Sequence, residues 1–360
     1  MRSRVWSQVS AAVLVLTAPT WLRAQGPACT ATPTSLTPAS WHEPVPVATS
    51  NAPPGALRVV KDLPLPGPAN RFDYQSIDPV GRRLYLAHMN AGRLVVIDLD
   101  PLRVVGEVDD LPRATGVLAV PAHHAIYVSS AGTHEVTIVD DQSLTVTARV
   151  PGVRFPDGLA YAPESQKIFV SDEAGDAELV IDARTRARRS TIALGGEAGN
   201  TQYDSVSHCI LVAVQTRNEL VAFDPVREVI VARYALPGSD HPHGFVRDVP
   251  GRLAFVSSEA SATLQVVDLR TMRVMGEHRV GSGPDVLAWD PEWRRLYVAS
   301  EGGVLSTFIA EGRTLRSLGD YRAPRAHTVS VDPRTHQVFL ALEKVAGRPV
   351  LRVMLPGATK

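Results

Sequence analysis

Apolar and polar positions fall in short runs along the chain, and the runs return in a fixed order. LYLAH (84–88), IYVSS (126–130), IFVSD (168–172) and LYVAS (296–300) are aliphatic, β-branched or aromatic and close on small or polar residues. That is the composition of a β-strand bounded by turns. One position in this run recurs as Tyr85, Tyr127, Phe169, Leu211, Phe255, Tyr297 and Phe339, with steps of 42, 42, 42, 44, 42 and 42 residues. A period of about 40–50 residues marks the blades of a β-propeller. A second run follows about 13 residues later and ends at Asp98, Asp140, Asp182, Asp224 and Asp268. Each repeat therefore predicts four strands: an inner strand, the reference strand, this third strand and an outer one such as 103–108. Their apolar runs suit strands covered on both faces by neighbouring blades.

Seven such units nearly fill residues 66–355, and the last lacks an outer strand. Residues 57–65 resemble the outer strands elsewhere and have no blade of their own. The pattern predicts an all-β, seven-bladed propeller over 56–360, closed by an N-terminal strand that completes the last blade. Closure leaves no long open edge for another chain to pair with. The repeated third-strand Asp precedes a polar turn and is read as an Asx-turn residue.

These strings resemble the YVTN-repeat (YncE-like) β-propellers of exported bacterial proteins. The resemblance rests on the LYVAS, IYVSS and IFVSD runs with their VxD partners and covers 57–355. NTQYD (200–204), QTRNEL (215–220) and DHPHG (240–244) are similar to one subgroup. It implies a seven-bladed propeller and export, and no settled activity. Blade six departs from the pattern, with Phe308-Ile309-Ala310 where other third strands end in Asp.

The N-terminal residues change the picture of where the protein works. Arg2 and Arg4 precede a short apolar core at 9–18, and cleavage near Leu22-Arg23-Ala24 would leave Gln25 first. Residues 1–24 thus read as a signal peptide and 25–55 as a Pro-rich, disordered leader. The expected location is periplasmic or secreted. No run is long enough to span a bilayer. The two cysteines, Cys29 and Cys209, are too few for a disulfide framework. Cys209 reads as a small buried strand residue and Cys29 as part of the leader, in a context that does not fit a lipid anchor.

Charge excludes some partners. Formal net charge is +0 with 21% charged residues, so no basic field points to nucleic acid. Trp289-Asp290 falls in an inner strand and is no WD signature. Phosphate-loop, HExxH, GxSxG and paired CxxC motifs are absent from the sequence. No organic cofactor is indicated, and a monomer is expected.

Two register rows carry the candidate chemistry, because both open on one face around the central channel. Twelve residues before the reference position stand Asp73, Thr115, Asp157, Gly199, His243, Asp285 and His327. Four residues after it stand Met89, Ala131, Glu173, Gln215, Glu259, Glu301 and Glu343. Repetition alone would put one residue type in every blade, so this uneven loading is informative. His243, Asp285 and His327 come from successive blades and suit a divalent transition metal, with Asp73, Glu259, Glu301 and Glu343 as further carboxylate ligands. Without a metal the same residues are a hydrated, exposed polar rim. Blade four adds Asn200, Gln202, Gln215, Arg217 and Asn218, which with Asp157, Glu173 and His241 form a candidate ligand-binding set. Arg offers a fork for a carboxylate or phosphate, unless Arg217 pairs with Glu173 or Glu219. Three readings stay open. The first is a binding protein for a small polar ligand, with or without a divalent cation. The second is a propeller lyase or lactonase-like hydrolase with His243 or His327 as general base. The third is a protein-interaction scaffold.

Overall fold

The computed structural model describes residues 29–31 and 57–357. The expected signal peptide and all but three residues of the expected leader lie outside the described residues. Seven four-stranded antiparallel sheets are arranged as a propeller. Blade two shows the common order: Ala114–Val120, Ala125–Ser130, Glu135–Asp140 and Val146–Pro151 run from inner to outer strand. Blade seven is composite, with Val329–Val331, Val338–Val345 and Arg348–Pro356 completed by Leu57–Pro64. That closing strand pairs from Leu57 opposite Pro356 to Pro64 opposite Val350, with one register shift between Val59 and Lys61. Asp62 accepts two hydrogen bonds from Arg352 on the facing strand, at 2.8 and 2.6 Å, which pins the pairing in the middle.

The seven reference residues are all buried, and each apolar cluster lies between two successive blades. The cluster that joins the ends of the ring packs Phe72, Leu84 and Leu86 of blade one with Phe339 and Leu351 of blade seven. A blade cannot bury both faces alone, so stacking around the ring supplies the core.

Polar latches reinforce five of these interfaces. The residue three before the reference position adopts a left-handed backbone, and its side chain reaches the Asp ending the inner strand of the preceding blade. Arg252 reaches Asp204 (2.7 Å), Arg294 reaches Asp248 (3.3 Å) and His336 reaches Asp290 (2.8 Å). Across the closure, Arg82 forks onto Asp332 at 2.9 and 2.7 Å. Burial would raise the Asp332 carboxyl, but Arg82, Thr335 and the turn backbone outweigh it and hold it at about 2. His208 also faces Glu164 in the blade before its own, 3.3 Å away. The third-strand Asp residues cap their own turns: Asp140, Asp182 and Asp224 each accept from two backbone N–H groups. Asp98 instead pairs with Arg83 and Arg103.

The reading of the cysteines needs correction. Cys29 and Cys209 form a disulfide, with Cα atoms 4.8 Å apart. The leader residue lies against blade four, and Thr30 donates its backbone N–H to Ser207. Periodicity could not show this, because Cys29 lies outside the repeat. A cross-link over 180 residues of chain restricts the unfolded state by about 5 kcal/mol on chain-entropy grounds. A structural disulfide persists in an oxidising compartment. Cys29 is therefore a structural anchor, and removing the leader would not be neutral.

One buried residue breaks the pattern. Glu178 is fully buried in a third strand, where Leu94, Val136, Leu220 and Leu264 hold the same register. Neither of its carboxyl oxygens has a hydrogen-bond partner. Burial, with Asp172 nearby, drives its pKa well above the usual value. An acid with a raised folded pKa is least costly below its unfolded pKa, about 4.3, and the cost grows as pH rises toward the folded value. Glu178→Leu is expected to stabilise the protein by about 1–3 kcal/mol at neutral pH, with the gain narrowing near pH 4. Thermal melts of both proteins across pH 4–8 check this. A less stable variant, or a gain that does not change with pH, would contradict it.

Candidate metal and ligand site at the channel mouth

The inner strands do not start as regular ladder. In blades two to six the pairing shifts register over two residues near the strand start: Thr115-Gly116, Asp157-Gly158, Gly199-Asn200, His243-Gly244 and Asp285-Val286. In blades one and seven the equivalent Asp73-Tyr74 and His327-Thr328 immediately precede the regular strand. Such irregularities re-aim side chains out of the pleat. Close approach of neighbouring blades demands glycine next to them. A Cβ on Gly244 would lie 1.7 Å from the Asp285 carbonyl oxygen, and one on Gly116 would lie 1.9 Å from that of Asp157.

The channel mouth holds a cavity of about 310 Å³ whose walls include Asp73, Asp157, Glu173, His243, Glu259 and Asp285. Tyr74 belongs to blade one, yet its hydroxyl lies 3.3 Å from His243 Nε2 in blade five. Those blades are not neighbours, so the phenol reaches across the axis and makes a cup out of the channel. Asp285 stands between the two imidazoles. Its Oδ1 lies 3.5 Å from His243 Nε2 and its Oδ2 lies 2.8 Å from His327 Nδ1. His243 also faces Glu259 (3.3 Å) and Asp157 (3.6 Å). His327 Nε2 faces Asp73 at 3.5 Å. Arg71 donates to Glu301 at 2.7 Å and lies 3.1 Å from His327 Nδ1.

Asp73, Asp285 and His327, and likewise His243, Glu259 and Asp285, each present one ligand atom within 4.8 Å of the others. These are acidic and imidazole groups close enough to hold a metal ion. Asp285 Oδ1, Asp157 Oδ2 and His327 Nε2 are buried and have no hydrogen-bond partner. Buried polar atoms are nearly always paired, so orphans converging on one cavity call for an explanation.

Charge in the cup is tightly coupled. Burial opposes protonation of both imidazoles, but the surrounding carboxylates win and raise them well above the usual histidine value. Asp285, against the tendency of burial, is held at about 2 by His327 and then His243. Burial pushes Asp73 up to about 7, with His327 opposing and Asp157 and Asp285 adding to the rise. Burial and then Asp157 push Glu173 up to about 8. The cup thus sets six acids, Asp73, Asp157, Glu173, Glu259, Asp285 and Glu301, against the basic His243, His327, Arg71 and Arg113, and burial keeps protons on Asp73 and Glu173.

Sequence reasoning expected an exposed rim; the structure instead buries His243, Asp285 and His327, each under one-tenth exposed. Glu259 and Glu301 join the cup, whereas Glu343 accepts from Arg325 at 3.1 Å and stands outside both groups. Asp157 and Glu173 line the cavity, but the blade-four set does not. Asn200 accepts from Gln202, and Gln215 donates to the Ala198 carbonyl, each at 3.5 Å. Arg217 pairs with Glu219 at 2.8 Å, the second of the partners considered for it. Asn218, in a left-handed conformation, accepts from the His241 backbone, and the His241 ring lies 2.9 Å from Asp240. Arg71, Tyr74, Arg113 and Phe155 also line the cup and were not anticipated. Three of them share a row fourteen residues before the reference position, and tabulating that row would have found them. A smaller cavity of about 180 Å³ beside Cys209 is lined by Asp204 and Arg252, which pair with each other, and by Arg270, which donates to the Gly251 carbonyl.

Comparison with known proteins agrees with the repeat. The chain is 23% identical over 215 residues to the uncharacterized protein YncE of Salmonella typhi and, equally, to that of Salmonella typhimurium. In its propeller fold and along this stretch of sequence, the chain resembles YncE. The match covers 58% of the chain and 59% of the length of each relative. No protein-family model matches. A solved structure of hydrazine synthase from Kuenenia stuttgartiensis superposes with a TM-score of 0.68 at 13% identity, covering 82% of this chain and 97% of that one. At such identity the likeness is one of fold alone. Among the described residues, no helix of this chain is long and apolar enough to cross a membrane.

Proposed function

We propose that this is an exported binding protein that holds a small polar ligand in the cup through a divalent cation. The observation that carries the reading is Asp285, set between two imidazoles from the blades on either side, with orphaned buried atoms beside it. Imidazole and carboxylate donors together suit a first-row transition ion more than an all-oxygen cation such as Ca²⁺. Acids outnumber basic side chains in the cup, and a cation would take the place of the protons held on Asp73, Glu173 and the imidazoles. Export is supported by the signal-like N-terminus and by the disulfide, which needs an oxidising compartment. Equilibrium dialysis of purified protein against Mn²⁺, Zn²⁺ and Ca²⁺ in turn, followed by elemental analysis, tests the cation. Retention of Zn²⁺ or Mn²⁺ in a whole-number ratio to protein is expected. Retention of none of the three ions would overturn the reading.

A further inference from the structure

The cation reading leaves one wall of the cup unused. Arg113 lines the same cavity as His243 and Asp285, just before Thr115 of blade two. Its guanidinium carbon lies 5.0 Å from the centre of the Phe155 ring. The arginines at the same register in blades one and seven have acids of their own, Arg71 with Glu301 and Arg325 with Glu343. Arg113 has no carboxylate partner among the described residues. In the row that supplies Glu301 and Glu343, blade two has Ala131 and the adjoining blade one has Met89, so neither offers Arg113 an acid. The lining is therefore uneven: acids and imidazoles enter from the other blades, while blade two brings a guanidinium that lies over Phe155, with Met89 in the same cavity wall.

A guanidinium stacked on an aromatic ring keeps its planar N–H fork free for a carboxylate, which it matches with two parallel hydrogen bonds. Phe155 and Met89 offer apolar contact to a short carbon frame. The cavity, about 310 Å³, falls at the low end of small-molecule sites, about 300–1,000 Å³. We propose that the ligand is a small organic hydroxycarboxylate. Arg113 holds one carboxylate, the carbon frame lies against Phe155 and Met89, and the remaining oxygen donors face the cation. This inference rests on the cation reading for its second anchor.

Isothermal titration calorimetry of ion-loaded protein with glycolate, malate and tartrate, with inorganic phosphate as the comparator, tests it. At least one hydroxycarboxylate is expected to bind more tightly than phosphate. Arg113→Ala should weaken that binding roughly tenfold to a hundredfold, the loss of one charge-assisted pair, while ion content and melting temperature stay as in the parent. Equal binding by Arg113→Ala, a preference for phosphate, or no carboxylate binding by protein that retains its ion would overturn this inference and leave the cation reading intact. Protein that retains no ion yet binds a hydroxycarboxylate through Arg113 would overturn the cation reading and uphold the role of Arg113.

Discussion

Deleting residues 57–65 is expected to abolish cooperative folding. The segment is the outer strand of blade seven, paired along its length with Arg348–Pro356. Its removal exposes a long strand edge and leaves Arg352 without Asp62. It also removes Leu57 from the core between blades six and seven and Leu65 from the core between blades seven and one. Because the ring is closed there, one deletion weakens two of the seven interfaces. The combined loss approaches the whole stability of a typical domain, about 5–15 kcal/mol. Circular dichroism melts and gel filtration check this. A truncated protein that stays monodisperse and melts within a few degrees of the parent would contradict closure by this strand.

Replacing both His243 and His327 by Ala has the second large effect, and burial changes what to expect of it. Exposed rim residues could be removed at little cost, within about ±0.5 kcal/mol. These imidazoles are buried among Asp73, Asp157 and Asp285. Removing one partner of a buried ion pair typically costs about 3–5 kcal/mol, because the other charge is left behind. The double variant is expected to melt well below the parent in ion-free buffer and to lose retention of Zn²⁺ and Mn²⁺. Replacing either histidine by Gln keeps a polar group in place and separates lost ligation from lost stability. A double variant that retains the ion as the parent does would rule out both imidazoles as ligands.

The repeat made the fold legible because packing between blades imposes one residue class at one register, as at Tyr85, Phe169 and Phe339. The same register placed His243, Asp285 and His327 at one height around the channel. It could not give their depth, since burial depends on how the strand-start irregularity turns each side chain. Tyr74 was illegible for a related reason: its role arises from reaching across the axis, and sequence register describes only neighbours. The blade-four amides carried a chemical signal that short-range hydrogen bonds absorb, as when Asn218 accepts from the His241 backbone. Cys29 lies outside any periodic context, so only three-dimensional proximity reveals its bond to Cys209. Glu178, in contrast, was visible as a departure from its row, as were Met89 and Ala131 in the row that elsewhere supplies acids. An exception within a repeat carries information that the repeat itself does not.

The cation reading meets its most direct test in crystals of the protein equilibrated with Zn²⁺ or Mn²⁺, with diffraction data collected at the absorption edge of that metal. An anomalous peak in the cup within coordination distance of Asp285 and at least one of His243 and His327 is the expected result. The absence of a peak in the cup, or a peak held only by residues elsewhere on the surface, would contradict it.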